Sequence, residues 1–181
     1  MSGVDLNELR NRVLSTQQQG VDFPSNPDRN VYVDDEGNIV LNPRSAPGRT
    51  LSSVPQKTFA VSLVRDRQTV AQKMPANTQE MSVSGTTGWI YHITTELGDP
   101  YTLFAFHDGS AYQVMVVFPE VAGRYGAHDA HLFGNGCICF GDALQGGLPT
   151  LEQAYAKSVL WANGFSVFLR TGQFPFSRNN L

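Results

Sequence analysis

Apolar and polar positions recur along this chain with two different periods, and the changes of period outline its elements. Between Val4 and Gln19, the residues Val4, Leu6, Leu9, Val13 and Leu14 form a loose apolar face, a spacing that predicts a short helix. Asp5 sits near its start, where the helix dipole favours an anion, and Gly20 supplies a stop. The segment VYVDDEGNIVLN alternates on both sides of Asp35, Glu36, Gly37 and Asn38, which predicts a hairpin around a turn. From Pro43 to Pro55 the composition shifts to Pro, Ser, Arg and Gly, as in a linker.

Four apolar runs then predict strands: Phe59 to Val64, Trp89 to Leu97, Tyr101 to Phe106 and Tyr112 to Val121. Gly98, Asp99 and Pro100 fill one gap and Asp108, Gly109 and Ser110 the next, so short turns connect an antiparallel meander. The polar stretch from Arg65 to Thr87, with Pro75 and Gly85, reads as a long loop. Residues Ala122 to Gly147 carry seven glycines and predict irregular backbone. Behind Pro149, Thr150 and Gln153 form a Thr-x-x-Gln capping box, and Leu151, Tyr155, Val159 and Ala162 follow at helical spacing. Ala154, Trp161, Phe165 and Phe168 make a second stripe, so this helix is buried on a wide face and Trp161 is a core position. Gly164 is placed to split it, and Arg170 and Gly172 to end it. The fold class that emerges is α+β, an antiparallel four-stranded meander with an N-terminal helix and C-terminal helices.

Composition narrows the function. With 181 residues and 41% hydrophobic content, the chain suffices for one compact domain. Its net charge of -3 with scattered Lys and Arg offers no basic stripe, so nucleic acid is not an expected partner. The apolar runs fall far below the roughly 20 residues of a membrane helix, so no membrane partner is expected. The opening MSGVDLNELR is acidic and is no secretory signal, which predicts a cytoplasmic protein. Cys137 and Cys139, the only two cysteines, cannot frame a secreted fold; in a strand their Cα atoms would lie about 6.5 to 7 Å apart, at the edge of disulfide geometry.

Chemistry concentrates in AHDAHLFGNGCICF, residues 127 to 140. This segment resembles the active site of ubiquitin-conjugating enzymes, in which a His-Pro-Asn tripeptide leads, past Asn-Gly, to Ile-Cys-Leu. Here Asn135-Gly136-Cys137-Ile138-Cys139-Phe140 matches the second half, with Cys139 at the catalytic position, and VMVVFPEV matches the strand ending in a Phe-Pro step. The tripeptide, counted back from Cys139, is Asp129-Ala130-His131, so His131 stands where the family has Asn. The resemblance spans roughly residues 88 to 172 and is similar to divergent bacterial relatives in conjugation or antiphage operons. It implies a ubiquitin-conjugating-like catalytic domain over 51–181, preceded by an N-terminal extension over 1–50. It further implies a thioester of a ubiquitin-like modifier on Cys139, received from an activating enzyme and passed to a target protein, with no cofactor or metal.

Elementary chemistry agrees with that role. A cysteine thiolate can accept an acyl group from another thioester and pass it on. An unperturbed thiol, with a pKa of about 8.5, is only a few per cent thiolate at neutral pH, and a nearby imidazole can take the proton. His131 can donate to the loop backbone or to a tetrahedral oxyanion, and Gly134 and Gly136 leave room for an incoming protein tail. The ordinary readings stand beside these. Buried cysteines are usually inert, and packing explains Cys137 better than chemistry. Asn135 is as good a turn former as an active-site donor; His128 and His131 suit ordinary loop hydrogen bonds, and Asp142 suits a solvated loop acid. Two other functions compete. His128, His131, Cys137 and Cys139 are four zinc ligands within a short span, although Cys-x-Cys is cramped around one ion. A cysteine hydrolase acting on the modifier would pair Cys139 with His128 or His131, yet such bases usually come from distant parts of a chain. No Gly-x-Gly-x-x-Gly loop suggests an activating enzyme, and SRNNL lacks the Gly-Gly of a modifier.

Overall fold

The computed structural model describes residues 4–17, 32–33, 39–40, 60–126, 129–141 and 147–175. In chain order the elements are α1 (Leu6–Gln17), β1 (Tyr32–Val33), β2 (Ile39–Val40), α2 (Ala60–Lys73), β3 (Gln79–Val83), β4 (Thr86–Thr94), β5 (Pro100–His107), β6 (Tyr112–Phe118) and α3 (Leu151–Thr171). Strands β1 and β2 pair antiparallel as the expected hairpin, and β3 to β6 form a four-stranded sheet in sequential order. The expected linker from Pro43 to Pro55 lies outside the described residues. Among the described residues no helix is long and apolar enough to cross a membrane.

The first strand of the meander is not the one expected. Residues from Ala60 to Val64 belong to helix α2, which continues through the supposed loop to Lys73. A short apolar run does not distinguish strand from buried helix. What decides is the row Leu63, Asp66 and Val70, at helical spacing, with both apolar members packed against the core. The true first strand, β3, is polar because it lies at the sheet edge with its first residues exposed. Ser84 and Gly85 connect it to β4 with φ of 51° and 79°, the positive values that a two-residue primed hairpin turn needs.

Strands β4 to β6 are apolar nearly throughout because both faces of the sheet are covered. Tyr91, Leu103, Val114 and Val116 face a cluster completed by Ala154, Trp161 and Phe165 of α3. Ile90, Phe104, Phe106 and Met115 face the other way and meet Leu9 and Val13 of α1. Helix α1, expected in an extension outside the domain, therefore shares its core; Leu9 is 0% exposed. Arg10 Nε also donates to the Val117 carbonyl at 3.0 Å, which ties α1 to the end of β6.

Helix α3 starts at the expected cap, where the Thr150 hydroxyl accepts from the Gln153 N–H at 3.2 Å. The helix runs unbroken through Gly164 to Thr171 rather than dividing there. Gly164 is buried, so close packing outweighs the weak helix propensity of one glycine. Gly172 closes it in the left-handed conformation at φ 73°.

Candidate active site

The cysteine segment folds as a tight hairpin, not as irregular backbone. Phe133 N–H donates to the Cys137 carbonyl at 2.8 Å, and Cys139 N–H to the His131 carbonyl at 2.8 Å. Leu132 and Ile138 pair between them. The turn follows from Asn135-Gly136. Gly136 N–H donates to the Phe133 carbonyl at 2.9 Å, and Gly136 takes φ 85°. The Asn135 side-chain oxygen accepts the Cys137 N–H at 3.0 Å. Asn135 thus acts as a turn former through an Asx bond. A Cβ on Gly136 would lie 3.3 Å from Ala122 Cβ and 3.5 Å from Leu6 Cδ2, so the hairpin tip rests against α1.

The second arm docks on the free side of β6. Met115 pairs with Cys137, Val116 N–H donates to Gly136 at 2.9 Å, and Ile138 N–H to Val114 at 2.8 Å. Two residues earlier on β6 the partner changes, for Tyr112 exchanges both backbone bonds with Leu148, at 2.8 and 2.9 Å. The chain therefore leaves the sheet edge just after Ile138 and returns at Leu148. Cys139 begins that excursion.

The two cysteines meet different surroundings. Cys137 is 3% exposed and belongs to the apolar cluster under α1. Burial above all pushes its thiol up to about 12; the bond with Asn135 opposes this and the nearby Asp108 charge adds to it. It remains a protonated thiol at neutral pH. Cys139 is 8% exposed, and its thiol donates to the Gly141 carbonyl with Sγ 3.6 Å from the oxygen. Ile138, between them, faces the α3 side instead.

His131 has a conformation that its sequence position does not announce. It takes φ 50°, the left-handed region in which Asn, Asp and His are the commonest non-glycine residues. Its ring packs edge-on to Phe174, centroids 4.7 Å apart, beyond the end of α3. The hydrogen bond between His131 and Cys139 is one of backbone, through the His131 carbonyl. His128 and Asp142 lie outside the described residues. Among the described residues no three His, Cys, Asp or Glu side chains gather as metal ligands, so His131, Cys137 and Cys139 do not converge as the zinc reading requires.

Sequence reasoning missed three supports of this hairpin. Trp161 Nε1–H donates to the Ala130 carbonyl at 2.9 Å, Leu6 lies under Gly136, and Phe174 lies against His131. The Trp161 signal was present, since a buried indole N–H requires an acceptor, but its partner is fixed by tertiary contact alone. No family model, curated protein or solved structure matches this chain. The class of protein defined by fold and site is thus an α+β domain with a four-stranded antiparallel sheet between helices, and a cysteine hairpin on the sheet edge.

Proposed function

We propose that the chain is a ubiquitin-conjugating-like enzyme that carries a ubiquitin-like modifier as a thioester on Cys139. The single observation that carries this reading is the contrast between the two thiols. Cys137 is locked into apolar core, whereas Cys139 stands where the chain departs from the sheet, its sulfur turned to a polar carbonyl. The order of meander, cysteine hairpin and long helix supports it further.

In the proposed reaction the Cys139 sulfur, having lost its proton, attacks the modifier's C-terminal carbonyl, held as a thioester on an activating enzyme. The new C–S bond forms and the old one breaks, releasing the activating enzyme's thiolate. A target amine or hydroxyl then attacks the same carbonyl, loses a proton, and displaces the Cys139 thiolate. His131 serves the second step, as donor to the developing oxyanion or as acceptor of the proton. Asn135 contributes by fixing the turn beside the cysteine. The placement in a bacterial conjugation or antiphage pathway is what the sequence resemblance implies.

The test is incubation with a ubiquitin-activating-like enzyme and its ubiquitin-like modifier. A reductant-sensitive adduct mapped to Cys139 by peptide mass spectrometry is expected. An adduct on a lysine only, formed without passage through Cys139, would overturn the reading.

A further inference from the structure

One buried polar contact joins α3 to the cysteine hairpin. Trp161 and Ala130 are both 0% exposed, and the indole N–H donates to the Ala130 carbonyl at 2.9 Å. The next residue, His131, holds φ 50°, and its carbonyl accepts the Cys139 N–H at 2.8 Å. Two hydrogen bonds and one left-handed residue therefore connect the helix to the backbone that carries the sulfur.

The indole plane is itself fixed. Trp161 stacks on Phe165 with centroids 4.8 Å apart and planes 16° from parallel, and meets Tyr101 edge-on at 6.0 Å. Those contacts hold the N–H toward Ala130. A phenyl ring here would leave part of the indole's volume unfilled; the N–H adds to that packing a directed bond inside dry core, where an unpaired carbonyl is costly.

We propose that Trp161 is a positioning residue, whose indole N–H anchors the Ala130 peptide, keeps His131 left-handed and so sets the place of the Cys139 thiol. The inference rests on the reading of Cys139 as the reacting group, and Trp161 acts through the backbone. Cys139 is 8% exposed, so attack by a reagent on its sulfur is limited by how readily its surroundings open, and the Trp161 bond opposes opening by movement of the hairpin.

The experiment measures alkylation of Cys139 by iodoacetamide in the folded full chain, with peptide mass spectrometry separating it from Cys137. Three variants are compared with wild type: Trp161→Phe; a chain with 3-benzothienylalanine at 161, which keeps the bicyclic shape and lacks the N–H; and Ile90→Val, which thins the core on the other sheet face and does not touch the indole. The first two should alkylate roughly tenfold faster, the ratio that corresponds to about 1.4 kcal/mol for one buried hydrogen bond, while Ile90→Val stays within about twofold. A benzothienyl variant that alkylates at the wild-type rate, or an Ile90→Val chain accelerated as much, would overturn the proposal even where Trp161→Phe fails to fold. Because alkylation needs no modifier, a chain that never forms a thioester but shows the tenfold change would remove the proposed function and leave the positioning role standing.

Discussion

The backbone N–H of Cys139 donates to the carbonyl of His131 at 2.8 Å, a bond that joins the two residues across the hairpin through the main chain. The conformational duty of His131, shown by its φ of 50°, is thus separable from the chemical duty proposed for its ring.

His131→Asn and His131→Ala should separate them. Asn tolerates the left-handed region, whereas Ala there costs roughly 1 to 2 kcal/mol. Both variants should still charge with modifier. Discharge by the Ala variant should slow by about 100- to 1,000-fold, the usual loss of one oxyanion donor. The Asn variant should recover part of the rate, because its amide replaces the donor but cannot act as a base. Single-turnover discharge reads both effects, and wild-type discharge by His131→Ala would leave the ring a purely structural part.

Exchange of each sulfur for oxygen should give opposite results. Cys139→Ser should turn the thioester into a reductant-resistant oxyester or abolish it. Cys137→Ser should keep the adduct while lowering stability by about 1 to 3 kcal/mol, because a hydroxyl replaces a thiol in apolar surroundings. Gel shifts with and without reductant, together with urea unfolding, measure the two outcomes. A reductant-sensitive adduct on the Cys139→Ser chain would remove Cys139 from the mechanism.

Removing the side chain of Leu9 should destabilise the whole domain. Leu9 is 0% exposed and packs on the sheet face formed by Ile90, Phe104 and Met115. Leu9→Ala should cost about 2 to 5 kcal/mol in a cooperative urea transition. If α1 were an independent appendage, the sheet would unfold at an unchanged midpoint.

Acid should weaken the β5–β6 turn through Asp108. Burial raises the pKa of this carboxyl, but the bonds it accepts from Ala111 and Ser110 N–H, the Ser110 hydroxyl and the Gln113 amide prevail and lower it from 3.8 to about 2. The folded state thus binds fewer protons than the unfolded state in that interval. The stabilisation is present above about 3.8 and is lost as pH falls toward about 2. Asp108→Asn, which does not titrate, should show a flatter dependence of its urea midpoint on pH over this range. Parallel slopes for the two proteins would assign the acid sensitivity elsewhere.

The hairpin's turn was legible in the sequence, but its surroundings were not. Asn135-Gly136 announces a turn, and the turn formed, with Asn135 bonding Cys137. Thr150 and Gly172 announce the ends of α3, and both act as caps. These signals are short-range: a side-chain oxygen meets an N–H a few residues away, or a glycine supplies a positive φ, wherever the segment lies in the fold. The three longer strands were legible because turn formers bound them.

Other features depended on what lies across the core. The run beginning at Ala60 has enough apolar residues for either helix or strand, and packing of Leu63 and Val70 settles it as α2. The polar strand β3 exists because β4 offers it a ladder. Cys137 lies in apolar core because α1 covers one sheet face, and the acceptor of the Trp161 N–H depends on α3 covering the other. The sequence by itself determined caps and turns, since these arise from neighbours in the chain. Tertiary structure alone decided burial, the left-handed His131 and the anchoring of its hairpin, since these arise from residues far apart in sequence that become neighbours only when both faces of the sheet are closed.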